Sequence, residues 1–326
     1  MSFPILNYTS HILGHVTTHR TPYGTRLNPP LAVPSSSILL QTDESDKWPG
    51  SNKASGLNTA STNCDSLLSQ ANTVGIIGGV SVDSTLNFLR KVVEWSSRHE
   101  KDSPPFVLCS DPVLNKELLT HERNCMPYVN CKSERSQLDL TPVMENLRGK
   151  RFFLEKSGAR CIVMPCHISQ SWYDEVSKGS TIPFLNMGEC VAKELKEAKL
   201  KPLEAGSPLR IGVLGTNTTL TAEFYQDKLQ SEGFEVVLPD KATMEHTVIP
   251  AIEALNRKDI EGARNLLRIA LQVLLVTAVN TIILASDDMR DLLPQDDPLL
   301  KKCIDPMDAL VRSTIKWAQS AVKGTC

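Results

Sequence analysis

The sequence predicts an α/β protein of two pseudo-symmetric domains, each a short parallel sheet flanked by helices, with the active site in the cleft between them. Three observations carry this. From Thr73 onward, short apolar runs alternate with helix-spaced segments, the pattern of strand–helix units with parallel strands. Two glycine-ended runs echo each other, Gly75-Ile-Ile-Gly-Gly79 and Gly212-Val-Leu-Gly-Thr216. Two further apolar runs stop abruptly, one at Cys161-Ile-Val-Met-Pro-Cys166 and the other at Thr281-Ile-Ile-Leu-Ala-Ser286. Each of these reads as a buried strand that delivers a reactive side chain to the carboxyl end of its sheet.

The elements follow in order. Thr73–Gly78 is a strand, and Leu86, Leu89, Val92 and Val93 give Ser84–Ser97 the spacing of a helix. Phe106–Cys109 is a strand. Leu147–Gly158 is a helix that leads into strand 161–165, with a further helix starting near Ser169. Ile182–Asn186 is a strand, and Val191, Ala192, Leu195 and Ala198 form one helical face. After a Pro-bounded loop, Pro202–Pro208, the pattern restarts with strands at Arg210–Leu214 and Phe234–Leu238. Helices are expected at Leu220 and Phe224, at Val248–Leu255 and at Leu266–Val279, followed by strand 281–285 and a closing helix, Ala309–Val322. Residues 73–206 are expected to form one lobe and 207–305 the other, with 306–326 packing back on the first.

Composition excludes several classes. Charged residues make up 22% and the formal net charge is −2, so nothing in the charge balance calls for nucleic acid or an acidic membrane surface. The longest apolar stretch, 269–285, is broken by Gln272, Thr277, Asn280 and Thr281, whereas a membrane span needs about 20 apolar residues. The cysteines at 64, 109, 125, 131, 161, 166, 190, 303 and 326 are scattered and lack zinc-ligand spacing, which suits reduced thiols used as small core residues. The first 42 residues contain no Asp or Glu but carry Arg20, Arg26 and many hydroxyl side chains. With the polar stretch that follows, residues 1–72 read as an organellar transit peptide and linker, plastid in the first place, mitochondrial or none in the alternative.

The Gly75–Gly79 turn is GxxGG rather than GxGxxG and lacks the acidic partner of a dinucleotide site. It suits a tight turn that offers backbone N–H groups with Ser81, Ser84 and Thr85 to an anion. Cys166 stands between a strand and a helix start, where a thiolate is favoured, and His167 is beside it. Ser286 is a weaker group, since a hydroxyl needs a neighbouring base. Asp287 or Asp288 could be that base or bind a cationic group, or the pair could simply cap the next turn.

The chain from about Thr73 to its end resembles the aspartate/glutamate racemase family. The matching stretches are Ile76–Thr85, Ile162–Cys166, Ile182–Leu185, Leu214–Thr216 and Ile283–Asp288. The resemblance implies a cofactor-independent enzyme, a homodimer, acting on a small carboxylate or amino acid, with no nucleic-acid or membrane partner. In that family two cysteines face the substrate from opposite sides, because inversion requires a proton to leave one face and arrive at the other. The first family cysteine falls on Cys166 and the second on Ser286. The Asn-Thr pair after the first is His167-Ile168 here, and the Thr-Glu pair after the second is Asp287-Asp288. Lys116 stands at a cationic family position after the second strand. The resemblance therefore implies Cys166 and Ser286 as the catalytic pair. It gives Ser81, Thr85, Lys116, His167, Thr216, Asp287 and Asp288 as substrate contacts. Two rivals stay open: a catalytically degenerate protein that binds a carboxylate or a protein partner, and a decarboxylase or isomerase working with one cysteine.

Overall fold

The computed structural model describes residues 70–79, 82–111, 141–202, 206–216, 219–220 and 222–323. The leader region, Ser81 and Lys116 lie outside them. The first half runs β1 (Val74–Ile77), α1 (Val82–Arg98), β2 (Phe106–Cys109), α2 (Thr141–Lys156) and β3 (Cys161–Val163). A 3-10 turn (Ile168–Trp172), α3 (Tyr173–Ser177), β4 (Phe184–Leu185) and α4 (Met187–Glu197) complete it. The second half runs β5 (Arg210–Gly215), α5 (Phe224–Ser231), β6 (Glu235–Val237), a π turn (Met244–Val248), α6 (Ile249–Asn256), α7 (Ile260–Val276) and β7 (Thr281–Ala285). Then come α8 (Asp287–Arg290), a 3-10 turn (Pro298–Lys302), β8 (Cys303–Ile304) and α9 (Pro306–Lys323). Each half holds a four-stranded sheet, β2-β1-β3-β4 and β6-β5-β7-β8, with every pairing parallel. The α/β class and the two matching sheets are as the sequence predicts.

Differences lie at element ends and in the shortest pieces. The second helix starts at Thr141 instead of Leu147, and α7 starts at Ile260 instead of Leu266. For α7 the cause is a cap outside the apolar pattern, since the Asp259 side chain accepts from the Gly262 N–H at 2.9 Å. Strand β8 is missing from the sequence reading because two residues are too few to show a period of two.

Side-chain alternation along the strands sorts residues to two faces. Val74, Ile76 and Val163 of one sheet join Ile211, Val213 and Ile283 of the other in a single apolar cluster, completed by residues of α4, α5 and α9. The opposite faces are separate. Ile77, Ile162 and Met164 lie under Leu147 and Leu154 of α2, and Leu214, Ile282 and Leu284 lie under Leu267, Leu271 and Leu274 of α7. Helix α9 packs against α4 and α1. Among the described residues no helix is long and apolar enough to cross a membrane.

Candidate active site

Sheet register places the two abrupt strand ends at equivalent positions. In the first sheet Gly75 pairs with Ile162 and Ile76 with Val163. In the second, Gly212 pairs with Ile282 and Gly215 with Ala285. Continuing each ladder past its last bond sets Gly79 beside Cys166 and Thr216 beside Ser286. Cys166 and Ser286 are therefore counterparts, one on each sheet, just beyond the carboxyl end of the strand next to the central one. This is where ligands sit in parallel sheets.

The glycines exist because these strand ends crowd one another. A Cβ on Gly79 would stand 2.0 Å from the Cys166 Cβ, and one on Gly78 would stand 2.5 Å from that of Ser110. In the second half a Cβ on Gly215 would lie 2.9 Å from the Ala285 carbonyl oxygen. Close approach of backbones explains this turn, and its amides are partly spent. The Gly79 N–H donates to the Thr85 hydroxyl at 3.4 Å, so Thr85, buried in α1, fixes the turn.

The loop carrying Cys166 is pinned from several sides. Cys166 is 1% exposed and packs with Ile77, Met164 and Trp172. The buried Gln170, which sequence reasoning passed over, donates to the Met164 carbonyl at 2.6 Å. Its side-chain oxygen accepts from the Met187 N–H at 3.4 Å, so one amide ties the loop to the start of α4. The expected helix begins as a 3-10 turn at Ile168 with His167 at its cap position, and α3 behind it is short. The dipole available to the thiol is correspondingly small.

His167 is 2% exposed, and its Nδ1 lies 3.0 Å from the hydroxyl of Tyr225, a fully buried residue of α5. The same hydroxyl donates to the Met187 sulfur at 3.2 Å. The residue after the cysteine is thus held by a side chain from the other half of the molecule. No local signal marks Tyr225 in the sequence, because its partner is far away along the chain.

Ser286 is 8% exposed and occupies the cap position of α8 in an extended conformation, with no side-chain cap bond. Asp287 and Asp288 are the first two residues of that helix rather than its cap. Thr216 is a turn residue: its hydroxyl lies 3.1 Å from that of Thr219 and accepts from the Thr219 N–H at 3.4 Å.

The other described cysteines are held as thiols. Burial pushes Cys161 and Cys303 up to about 12 and Cys190 to about 11, and it also raises Cys109. None of these four carries a thiolate at neutral pH. Among the described residues no three His, Cys, Asp or Glu side chains are grouped as metal ligands.

Comparison with known proteins gives the same architecture. A family model described as Asp/Glu/Hydantoin racemase matches residues 77–314. An aspartate racemase homologue from Pyrococcus horikoshii superposes with a TM-score of 0.59 at 22% identity, covering 76% of this chain and 99% of its own. The aspartate racemase of Picrophilus torridus gives 0.54 at 23% identity, covering 76% and 94%. In sequence, the broad specificity amino-acid racemase RacX of Bacillus subtilis is 23% identical over 174 residues, 51% of this chain and 64% of that protein. The match thus spans under two thirds of the Bacillus protein's length.

Proposed function

The chain belongs to the Asp/Glu/Hydantoin racemase family, and on that premise we propose that it is a cofactor-independent racemase-type enzyme acting on aspartate, glutamate or a related small dicarboxylate. The observation that carries this reading is the register equivalence of Cys166 and Ser286 at the ends of β3 and β7. The relatives' names, an aspartate racemase and a broad specificity amino-acid racemase, support an amino-acid substrate.

In this mechanism the Cys166 thiolate removes the α-proton from one face of the substrate, leaving a planar carbanion stabilised by the adjacent carboxylate. Reprotonation from Cys166 regenerates the same enantiomer with exchange. Reprotonation from the opposite face inverts it. A serine hydroxyl holds its proton far more tightly than a thiol does, so the Ser286 side is slow in both directions. Exchange with retention therefore outruns inversion, with a strong bias toward one enantiomer. His167, Thr216 and Lys116 are the proposed carboxylate contacts, together with Ser81 and the turn that Thr85 fixes, whereas Asp287 and Asp288 would serve Ser286 as a base or meet the substrate's cationic group. We assign a homodimer and a plastid location to the same reading, the second on the acid-free leader.

One observation favours a second reading, a binding protein without turnover: the thiol is nearly closed off and its counterpart is a serine. Cα hydrogen exchange in D2O, followed by NMR with L- and D-aspartate and glutamate, separates the two. Exchange that vanishes in Cys166→Ala establishes the acid–base role. No exchange from any of the four amino acids sinks the racemase reading and leaves the binding protein or a different one-cysteine reaction. Ser286→Cys restores a second thiol and is expected to raise inversion by roughly 10²-fold, the lower range for a positioned acid–base group.

A further inference from the structure

Three helices leave the region of the proposed site. Helix α1 follows the glycine turn, α8 follows Ser286, and α9 follows β8. One buried carboxylate joins all three. Asp305, 8% exposed, immediately precedes α9. Its Oδ1 accepts from the Met307 N–H at 2.9 Å and so caps that helix. Its Oδ2 is 2.8 Å from Lys91 Nζ of α1 and 3.5 Å from the guanidinium of Arg290, the last residue of α8. Asp308, in the first turn of α9, pairs with the same two cations.

We propose that Asp305 is a positioning residue. Through Lys91 and Arg290 it holds the helix leaving Ser286 against the helix leaving the glycine turn, and so sets how the Ser286 side meets the Cys166 side. The inference rests on the racemase reading for its effect on turnover, but the clamp itself does not depend on that reading.

The chemistry separates this role from simple capping. A helix cap needs one neutral acceptor, and asparagine caps as well as aspartate does. The negative charge at 305 is required only by the two cations. Exposed ion pairs are worth little, but this carboxylate is buried, and a buried charge cannot stand without its partners. A polar groove of about 340 Å³ opens over the clamp, lined by Arg90, Lys91, Arg290, Asp308 and Arg312 beside Trp95.

The test uses Asp305→Asn in the full chain, with Lys91→Met and Arg290→Met beside it. Asp305→Asn keeps the cap and removes the charge. The expected result is faster amide exchange across 284–293, by about tenfold or more, with residues 161–166 unchanged. The kcat of Cα exchange should fall by about tenfold at nearly constant KM, since misplacement of a reacting group lowers kcat rather than binding. Lys91→Arg should rescue what Lys91→Met loses, and the Lys91→Met/Arg290→Met pair should cost at least as much as Asp305→Asn, because it leaves the buried Asp305 charge without its two cations. Lys196→Met, at the exposed pair with Glu232, serves as the unchanged control. Amide exchange at 284–293 equal to that of the parent protein overturns the clamp. If the parent protein shows no turnover at all, the racemase reading has failed, and the amide-exchange arm alone decides the clamp.

Discussion

At the scale of single residues, Gly79 and Lys150 show opposite consequences of burial. A methyl at position 79 would occupy the space of the Cys166 side chain, and the neighbour is a strand end that cannot swing aside. Gly79→Ala should therefore cost about 1–3 kcal/mol, as overpacking does, and displace Cys166; thermal denaturation and loss of Cα exchange read both effects. Lys150, on α2, is 6% exposed, and its amine has no hydrogen-bond partner among the described residues. Burial lowers its pKa from 10.5, against a smaller opposing pull from Asp111. The protonated form is the one that the fold penalises. Below the folded pKa both states carry the proton and the penalty is present in full. As pH rises toward 10.5 the folded state releases its proton first and the penalty fades. Lys150→Met should thus stabilise the protein at neutral pH, on the order of 1 kcal/mol, with the gain shrinking to nothing near pH 10.5. Melting curves across that range test the sign. Cys161, Cys190 and Cys303, held near 11 to 12, should resist alkylation at pH 8 until the chain unfolds.

At the scale of elements, short segments are ordered by side chains that reach out of them. Helix α4 is started by Asn186, whose side chain accepts from the Glu189 N–H at 3.0 Å. Asn186→Ala should lower stability by about 1 kcal/mol. The loop bearing Cys166 is ordered by Gln170 on one side and by the His167–Tyr225 bond on the other. Tyr225→Phe keeps the packing and removes the bond, so the expected loss of stability is about 1 kcal/mol. A fall in kcat larger than any rise in KM would mark the bond as one that orients the loop, and a change in KM alone would contradict that role. The strands and longer helices of both halves were legible because each has a period and a boundary residue. The Asn186 cap lies inside a run already read as strand, and Gln170 inside a polar stretch, so neither showed a pattern of its own.

At the scale of the whole molecule, two sheets are joined by one apolar cluster. The halves should unfold together, in a single calorimetric transition. Leu310 of α9 is fully buried in that cluster, and Leu310→Ala should cost about 2–5 kcal/mol. Amide exchange should then quicken in β1 and β5 alike; quickening in only one would mean that the halves are independent units.

The sequence by itself determined the α/β class, the order of the strands before β8 and of the longer helices, and the pairing of Cys166 with Ser286 as counterparts. These follow from local periodicity and from two repeated strand ends, which need no knowledge of distant contacts. The tertiary structure alone decided what surrounds those two residues. Gly79 is glycine because Cys166 is there, His167 is held by Tyr225, and Asp305 gathers Lys91 and Arg290. Each of these joins residues far apart along the chain, and a one-dimensional pattern carries no signal for a contact that only the folded chain creates.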